Sequence, residues 1–303
     1  MTGMKVGLLV PQGWKGEYDG WAPADAWART LELADQAERL GFESIWLFDH
    51  FHTVPQPTNE ITFEAFSGLA ALASATRHIR LGTLVACTGF RNPALLAKMA
   101  GTIDVISGGR FELGVGAGWK EEEWVAYGYG FPSVAERLGV LGDTLEILRR
   151  MLGPERATYE GRYARVQGAI NVPAGLQQPH MPIMVGGNGR NVTWRLAARF
   201  ADELNLVFLD PDELREDIPV IRQRCEEVGR DPASLPVSMY MRDQDVAEPG
   251  PARADLLAEL SELGLSRVMA FPNRYGLGPE VQDRFADDVR AAGLALEPRL
   301  AIV

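Results

Sequence analysis

A chain of 303 residues, 46% hydrophobic and 23% charged, has the composition of a globular protein, large enough for one big core or two ordinary ones. Its formal charge of −11 argues against nucleic acid and anionic membrane surfaces as partners, because both need a basic face and no segment supplies a basic run. No apolar run reaches membrane-spanning length and no basic-then-apolar leader opens the chain, so the cytoplasm is the expected location; Cys87 and Cys225, in no CxxC spacing, argue against a disulfide framework and a structural zinc site.

Taken in chain order, the elements repeat one unit. Residues 5–11 (KVGLLVP) form a short apolar run, and the amphipathic stretch 25–40 behind it stops at Gly41, a helix C-cap signal. The run SIWLFDH (44–50) leads to a helical stretch over 63–75, and IRLGTLVA (79–86) leads to NPALLAKMAGTIDVIS, where Pro93 suits a first helical turn. FELGVGAG (111–118) leads to a helix over 134–152. MPIMVGG (181–187), ELNLVFL (203–209), PVSMYMR (236–242) and SRVMAFP (266–272) open four further units, with helices over 191–201, 212–227, 252–263 and 280–292. These runs are almost continuously apolar rather than alternating, as parallel strands covered on both faces are. Eight strand-then-helix units predict an α/β protein: a (β/α)8 barrel (TIM barrel) over 1–303 as one domain, with a doubly wound sheet as the alternative. Residues 153–180 read as a hairpin or loop inserted after the fourth helix.

In a barrel, residues that follow the strands converge at the C-terminal mouth. This gathers Asp49, His50 and His52, then Leu84–Cys87 with Arg91, then Ala117–Lys120 and Gly186–Arg190; Arg242, Asn273 and Arg274 close the ring. His78, Arg80, Arg110 and His180 fall at the opposite end and are expected to be structural. His50-Phe51-His52 could present a metal pair, but no histidine follows strands five to eight to complete a ligand set, so no metal site is expected. In VGGNGRN (185–191), Gly186, Gly187 and Gly189 would let backbone N–H groups approach an anion at a helix N-terminus, with Arg190 adding a cation. A tight turn alone is the plainer reading and stays open. Asp210, about 20 residues beyond, has the spacing of a ribose-binding acid but follows the wrong strand for a dinucleotide fold. Gly114, Gly116 and Gly118 in LGVGAGW would leave one face low, with room for something flat, or would serve close strand packing. Together these features suggest a phosphorylated planar cofactor.

The segments IWLFDHF, HIRLGTLVACTGFRNPALLAKM, TIDVISGGRFELGVGAGWKEEEWVAYGYGFP and MPIMVGGNGRNVTWRLAARFADELN, in that order, resemble the bacterial luciferase-like flavin and deazaflavin oxidoreductases, and most closely the branch that uses coenzyme F420. The resemblance implies Asp49 and His50 beside the deazaflavin ring as the catalytic pair, with His50 protonating or anchoring it. It implies a bulge with a cis peptide at Leu84-Val85 behind the ring, Ala117 and Gly118 at its flank, and Gly186, Gly187, Asn188, Gly189 and Arg190 around the phosphate. Arg91 and Lys120 would meet the cofactor's acidic tail. The family's sugar-phosphate dehydrogenases carry an acid where this chain has Trp119; Trp119 and Trp46 are therefore expected to wall an aromatic substrate pocket. Glu123 is expected to be a first-turn helix acid and Glu64 a structural one. The activity implied is hydride transfer between F420 and a small organic substrate, in a homodimer packed through the second and third helices. The alternatives are an FMN-dependent monooxygenase, a non-catalytic flavin-binding protein and a metal-dependent hydrolase.

Overall fold

Residues 3–297 are described by the computed structural model, and within them the apolar runs form one closed sheet. Its strands are β1 (Lys5–Leu9), β2 (Ser44–Leu47), β3 (Arg80–Thr83) with its continuation β4 (Ala86–Cys87), β5 (Phe111–Gly116), β8 (Ile183–Gly186), β9 (Glu203–Val207), β10 (Val237–Tyr240) and β11 (Arg267–Ala270). Each ladder among them is parallel. β1 pairs with β2 on one side and β11 on the other, and β3 pairs directly with β5, so the circle closes and the doubly wound alternative falls away. Counting β3 and β4 as one position, this is a (β/α)8 barrel.

The helices are α1 (Pro23–Leu40), α2 (Ala65–Ala75), α3 (Pro93–Ser107), α4 (Glu121–Ala126), α5 (Val134–Met151), α6 (Thr193–Phe200), α7 (Pro211–Glu227), α8 (Pro251–Glu262) and α9 (Glu280–Ala291). Their ends follow local chemistry. Gly41 stops α1 at φ 91°, a conformation that only glycine adopts cheaply. Asn92 and Pro93 start α3, and Ser133 with Glu136 forms a capping box on α5. Asp210 is the N-cap of α7, boxed with Glu213, and this cap accounts for it without any ribose. Glu64 caps α2 by accepting from the N–H groups of Phe66 and Ser67. No helix among the described residues is long and apolar enough to cross a membrane.

Three features depart from the simple repeat. The third strand is broken between Thr83 and Ala86, where the Leu84–Val85 peptide is cis. The short helix α4, whose first turn holds Glu123, follows β5. Between α5 and β8 lies an antiparallel hairpin, β6 (Ala157–Glu160) and β7 (Arg165–Ala169). It is pinned to α5 by Asp143, whose carboxylate accepts from Tyr163 N–H at 2.6 Å, Ala164 N–H at 3.0 Å and Tyr159 O–H at 2.8 Å.

The bottom of the barrel is an ion network. Arg267 meets Glu112 at 2.7 Å, Glu43 at 3.3 Å and Glu203 at 3.6 Å, and Arg80 also bonds Glu112. Burial alone would raise the Glu112 carboxyl, but Arg267 and Arg80 outweigh it and hold the group well below the usual carboxylate range. Arg110 donates to the carbonyls of Ala73, Thr76 and Ile79 at the end of α2, and His180 lies against Arg149 and Asp202, so both do structural work at this end. Trp46 corrects the sequence reading. It is fully buried in the barrel interior with Leu9, Phe48, Met184 and Met269, its Nε1 donates to Ser44 Oγ at 2.8 Å, and the Arg267 guanidinium covers its ring at 5.3 Å. It is core, below the mouth, and does not line the mouth cavity.

Candidate active site

A cavity of about 640 Å³ opens at the C-terminal mouth, where the fold gathers His50 from the end of β2, Leu84 and Val85 from the broken third strand, Ala117 and Gly118 beyond β5, and Gly186, Gly187 and Asn188 beyond β8. Its polar centre is a pair that the sequence did not announce. His50 Nδ1 lies 2.7 Å from Glu123 Oε2, and Glu123 Oε1 accepts from Phe51 N–H at 2.6 Å. Glu123 has no exposed surface. Burial pushes its carboxyl up, but the hydrogen bond from His50 and the N–H of Phe51 outweigh that and leave it below its ordinary value. A carboxylate against Nδ1 fixes the proton on that nitrogen and leaves Nε2 as the group able to face a ligand. Trp14 stacks on the imidazole at 4.0 Å with the planes 1° apart, and the exposed Trp119 meets it edge-on at 5.8 Å. The ring is therefore held by a stack, an edge and an ionised hydrogen bond. His52 is elsewhere, with Nδ1 against its neighbour's carbonyl, Thr53 O, so the two histidines do not converge.

Asp49 lines the cavity but its carboxylate is committed. Arg91 donates to it twice, at 2.6 and 2.8 Å, and Cys87 N–H donates at 2.8 Å, which ties the end of β2 to β4. Arg91 also pairs with Glu64 at 2.9 Å and lies over Phe66. This corrects its reading as a cation open to a cofactor tail, because two carboxylates already neutralise it and it does not line the mouth cavity. The Cys87 thiol is pushed up to about 12 by burial and stays protonated. Lys120 does line the cavity, largely buried, with Nζ 3.2 Å from Glu122.

The glycines of β5 and β8 act through Val85. A Cβ on Gly116 would come within 2.7 Å of Val85 Cγ2, one on Gly186 within 2.9 Å of Val85 Cγ1, and one on Gly114 within 2.1 Å of the Thr83 carbonyl. The bare strands make room for the bulge, and the bulge in turn forms a wall of the cavity. At the loop after β8, Gly186, Gly187 and Asn188 line the cavity with Thr193, whereas Gly189 packs back against Thr193 and does not. Asn188 pins this loop to β9 by accepting from Val207 N–H at 2.8 Å and donating to its carbonyl at 2.5 Å. Arg190 corrects the sequence reading: it is half-exposed, turned away onto Asp217 of α7 at 2.5 Å, and leaves no cation at the loop. Val192, ahead of α6, offers its first-turn N–H groups no side-chain cap. An apolar slot beside a glycine turn and an uncapped helix start suits a planar ring carrying a phosphate.

Residues 4–245 match the model of the luciferase-like monooxygenase family. The chain belongs to that family. Among relatives of this luciferase-like protein, an F420-dependent glucose-6-phosphate dehydrogenase of Kineococcus radiotolerans is 30% identical over 251 residues, which cover 80% of this chain and 71% of that one. An F420-dependent secondary alcohol dehydrogenase, solved with an F420–acetone adduct, shares the fold at a TM-score of 0.79 and 21% identity over 96% of this chain and 99% of its own. A riboflavin lyase with a modified FMN superposes at 0.75 with 14% identity over 99% of this chain and 94% of its own. The luciferase-like protein is an oxidoreductase.

Glu123 is the functional residue that sequence reasoning undervalued. It does stand in the first turn of α4, as expected, yet its carboxylate serves His50, 73 residues away, more than the helix end. Trp14, Phe208 and Tyr240, also at the cavity, were not singled out.

Proposed function

We propose that the mouth cavity binds coenzyme F420 and that the enzyme moves hydride between it and a small organic substrate. The observation that carries this reading is the His50–Glu123 pair set into an apolar cavity backed by the Leu84–Val85 bulge; the F420-dependent relative at 30% identity supports the choice of cofactor. Leu84, Val85, Ala117 and Gly118 would hold the ring, and Gly186, Gly187, Asn188 and Thr193 the phosphate. When bound, the deazaflavin supplies a carbon that accepts or releases a hydride. His50 Nε2 moves the proton that accompanies it at the substrate heteroatom, while Glu123 balances the imidazolium and Trp14 keeps it in plane. Asp49 acts as a positioning residue, holding β4 through Cys87 and Arg91. Trp119, Phe208 and Tyr240 exclude water and favour apolar or aromatic substrates.

Parallel titrations with F420 and FMN, followed by visible absorption and fluorescence, test the reading. Saturable F420 binding with FMN weaker is expected. Tight FMN binding without F420 affinity would instead make the protein an FMN-dependent monooxygenase.

A further inference from the structure

A second cavity, of about 810 Å³, lies beside the first, between the start of α3, the α4–α5 connection and the turn of the inserted hairpin; only the walls at Phe90 and Trp124 are common to both. Its chemistry differs. Four arginines, Arg91, Arg137, Arg162 and Arg165, line it against the single carboxylate of Glu160 among the described residues, in a chain whose formal charge is −11. Arg91 is neutralised by Asp49 and Glu64. Arg165 and Glu160 stand 3.6 Å apart and are both exposed, a pairing that binds little. The other two have no such partner. Arg137 is only 8% exposed, and its guanidinium donates to the carbonyls of Gly118 at 3.2 Å and Pro132 at 2.5 Å, which orient it without cancelling its charge. Arg162 rests over the Tyr163 ring and joins no ion pair among the described residues.

The backbone that carries these side chains is fixed before any ligand arrives. Asp143 of α5 accepts from the N–H groups of Tyr163 and Ala164, and Gly139 gives the Tyr163 ring its seat, since a Cβ there would lie 2.2 Å from the ring. The turn that carries Arg162 and Arg165 is thus bolted to the helix that carries Arg137. Two guanidinium groups that join no ion pair among the described residues, carried on a pinned backbone, match paired oxygens of a carboxylate or phosphate.

We propose that this flanking cavity is an anion site for a small phosphate- or carboxylate-bearing molecule, with Arg137 and Arg162 supplying the charge and Arg165 the rim. Two sources offer that chemistry: a separate small anion, or, if the mouth holds F420 as proposed above, the acidic portion of that same molecule. The test uses the intact protein, the Arg162→Ala/Arg165→Ala double variant and, as a control, Arg222→Ala on the exposed face of α7, with melting curves confirming that each folds. Calorimetry with inorganic pyrophosphate and with citrate at low salt reads the first source. Titration with F420 and with its chromophore lacking phosphate and tail reads the second. Loss of pyrophosphate or citrate affinity by about tenfold or more in the double variant alone, with F420 affinity unchanged, establishes a separate anion site. A similar loss for F420 but not for the bare chromophore assigns the site to the cofactor's acidic part. Absence of saturable anion binding together with unchanged F420 affinity overturns the proposal. Because the pyrophosphate and citrate arm does not involve F420, the cavity can be judged even if the protein binds no F420.

Discussion

His50 is held by side chains from two distant stretches, Trp14 after β1 and Glu123 in α4, and its chemistry depends on both. Glu123→Gln keeps the shape and a hydrogen-bond acceptor but removes the charge that balances an imidazolium. The expected outcome is a fall in kcat of about 10- to 100-fold with F420 affinity nearly unchanged. A variant that lost affinity and melting temperature but kept kcat would make Glu123 a packing residue instead. At this scale the place of Asp49 and His50 at the cavity was legible, because a residue type and a strand end coincide there. A role was not legible where a partner from far along the chain decides it. Asp217 draws Arg190 away from the loop, Asp49 and Glu64 occupy Arg91, and Glu123 reaches His50 across 73 residues. Trp46 failed for a different reason: a strand pattern gives the face of a residue and not its depth, and this one sits below the mouth.

Among elements, the broken third strand is the one that shapes the cavity, and the glycines opposite are its complement. Gly114→Ala would set a methyl 2.1 Å from the Thr83 carbonyl and 2.8 Å from Met184 Cε, both in a packed interior. It is expected to destabilise the fold by about 1–3 kcal/mol, seen as a lower denaturant midpoint with an unchanged slope. An alanine tolerated without loss would mean that the bulge can shift freely. The glycine spacing in LGVGAGW left open either room for something flat or close strand packing, and Gly114 against the Thr83 carbonyl shows the packing. The room exists, but Val85 fills much of it and the cavity begins beyond. The hairpin was legible as an insertion of 153–180, while its attachment through Asp143 was not, because an acid in mid-helix carries no mark of what it will accept.

For the molecule as a whole, eight parallel strand-then-helix units were legible from eight apolar runs, each followed by a helix, but the spacing left a doubly wound sheet open, and closure rests on the pairing of β3 with β5. The charged plug that closes the bottom was not legible, because Arg267, Glu112, Glu43 and Glu203 come from four separate strands or their approaches. Its effect on stability has a definite sign. Glu112 is held below its unfolded value, about 4.3, so its contribution is full above that pH and is lost as pH falls through the lower, folded value. Glu112→Gln is expected to cost about 3–5 kcal/mol at pH 7, because it leaves Arg267 and Arg80 short of a partner, and the gap to the parent should narrow in acid. Urea denaturation of both proteins at pH 7 and near pH 3 reads this directly; a gap that widened in acid would reverse the assignment. The mouth at the opposite end is where the functional claim rests. A crystal structure of the protein grown with F420 tests it most directly. The account predicts the deazaflavin ring in the mouth cavity, between Val85 and His50, with the phosphate at Gly186–Asn188. Ring density elsewhere on the protein, or an empty mouth at saturating F420, would contradict it.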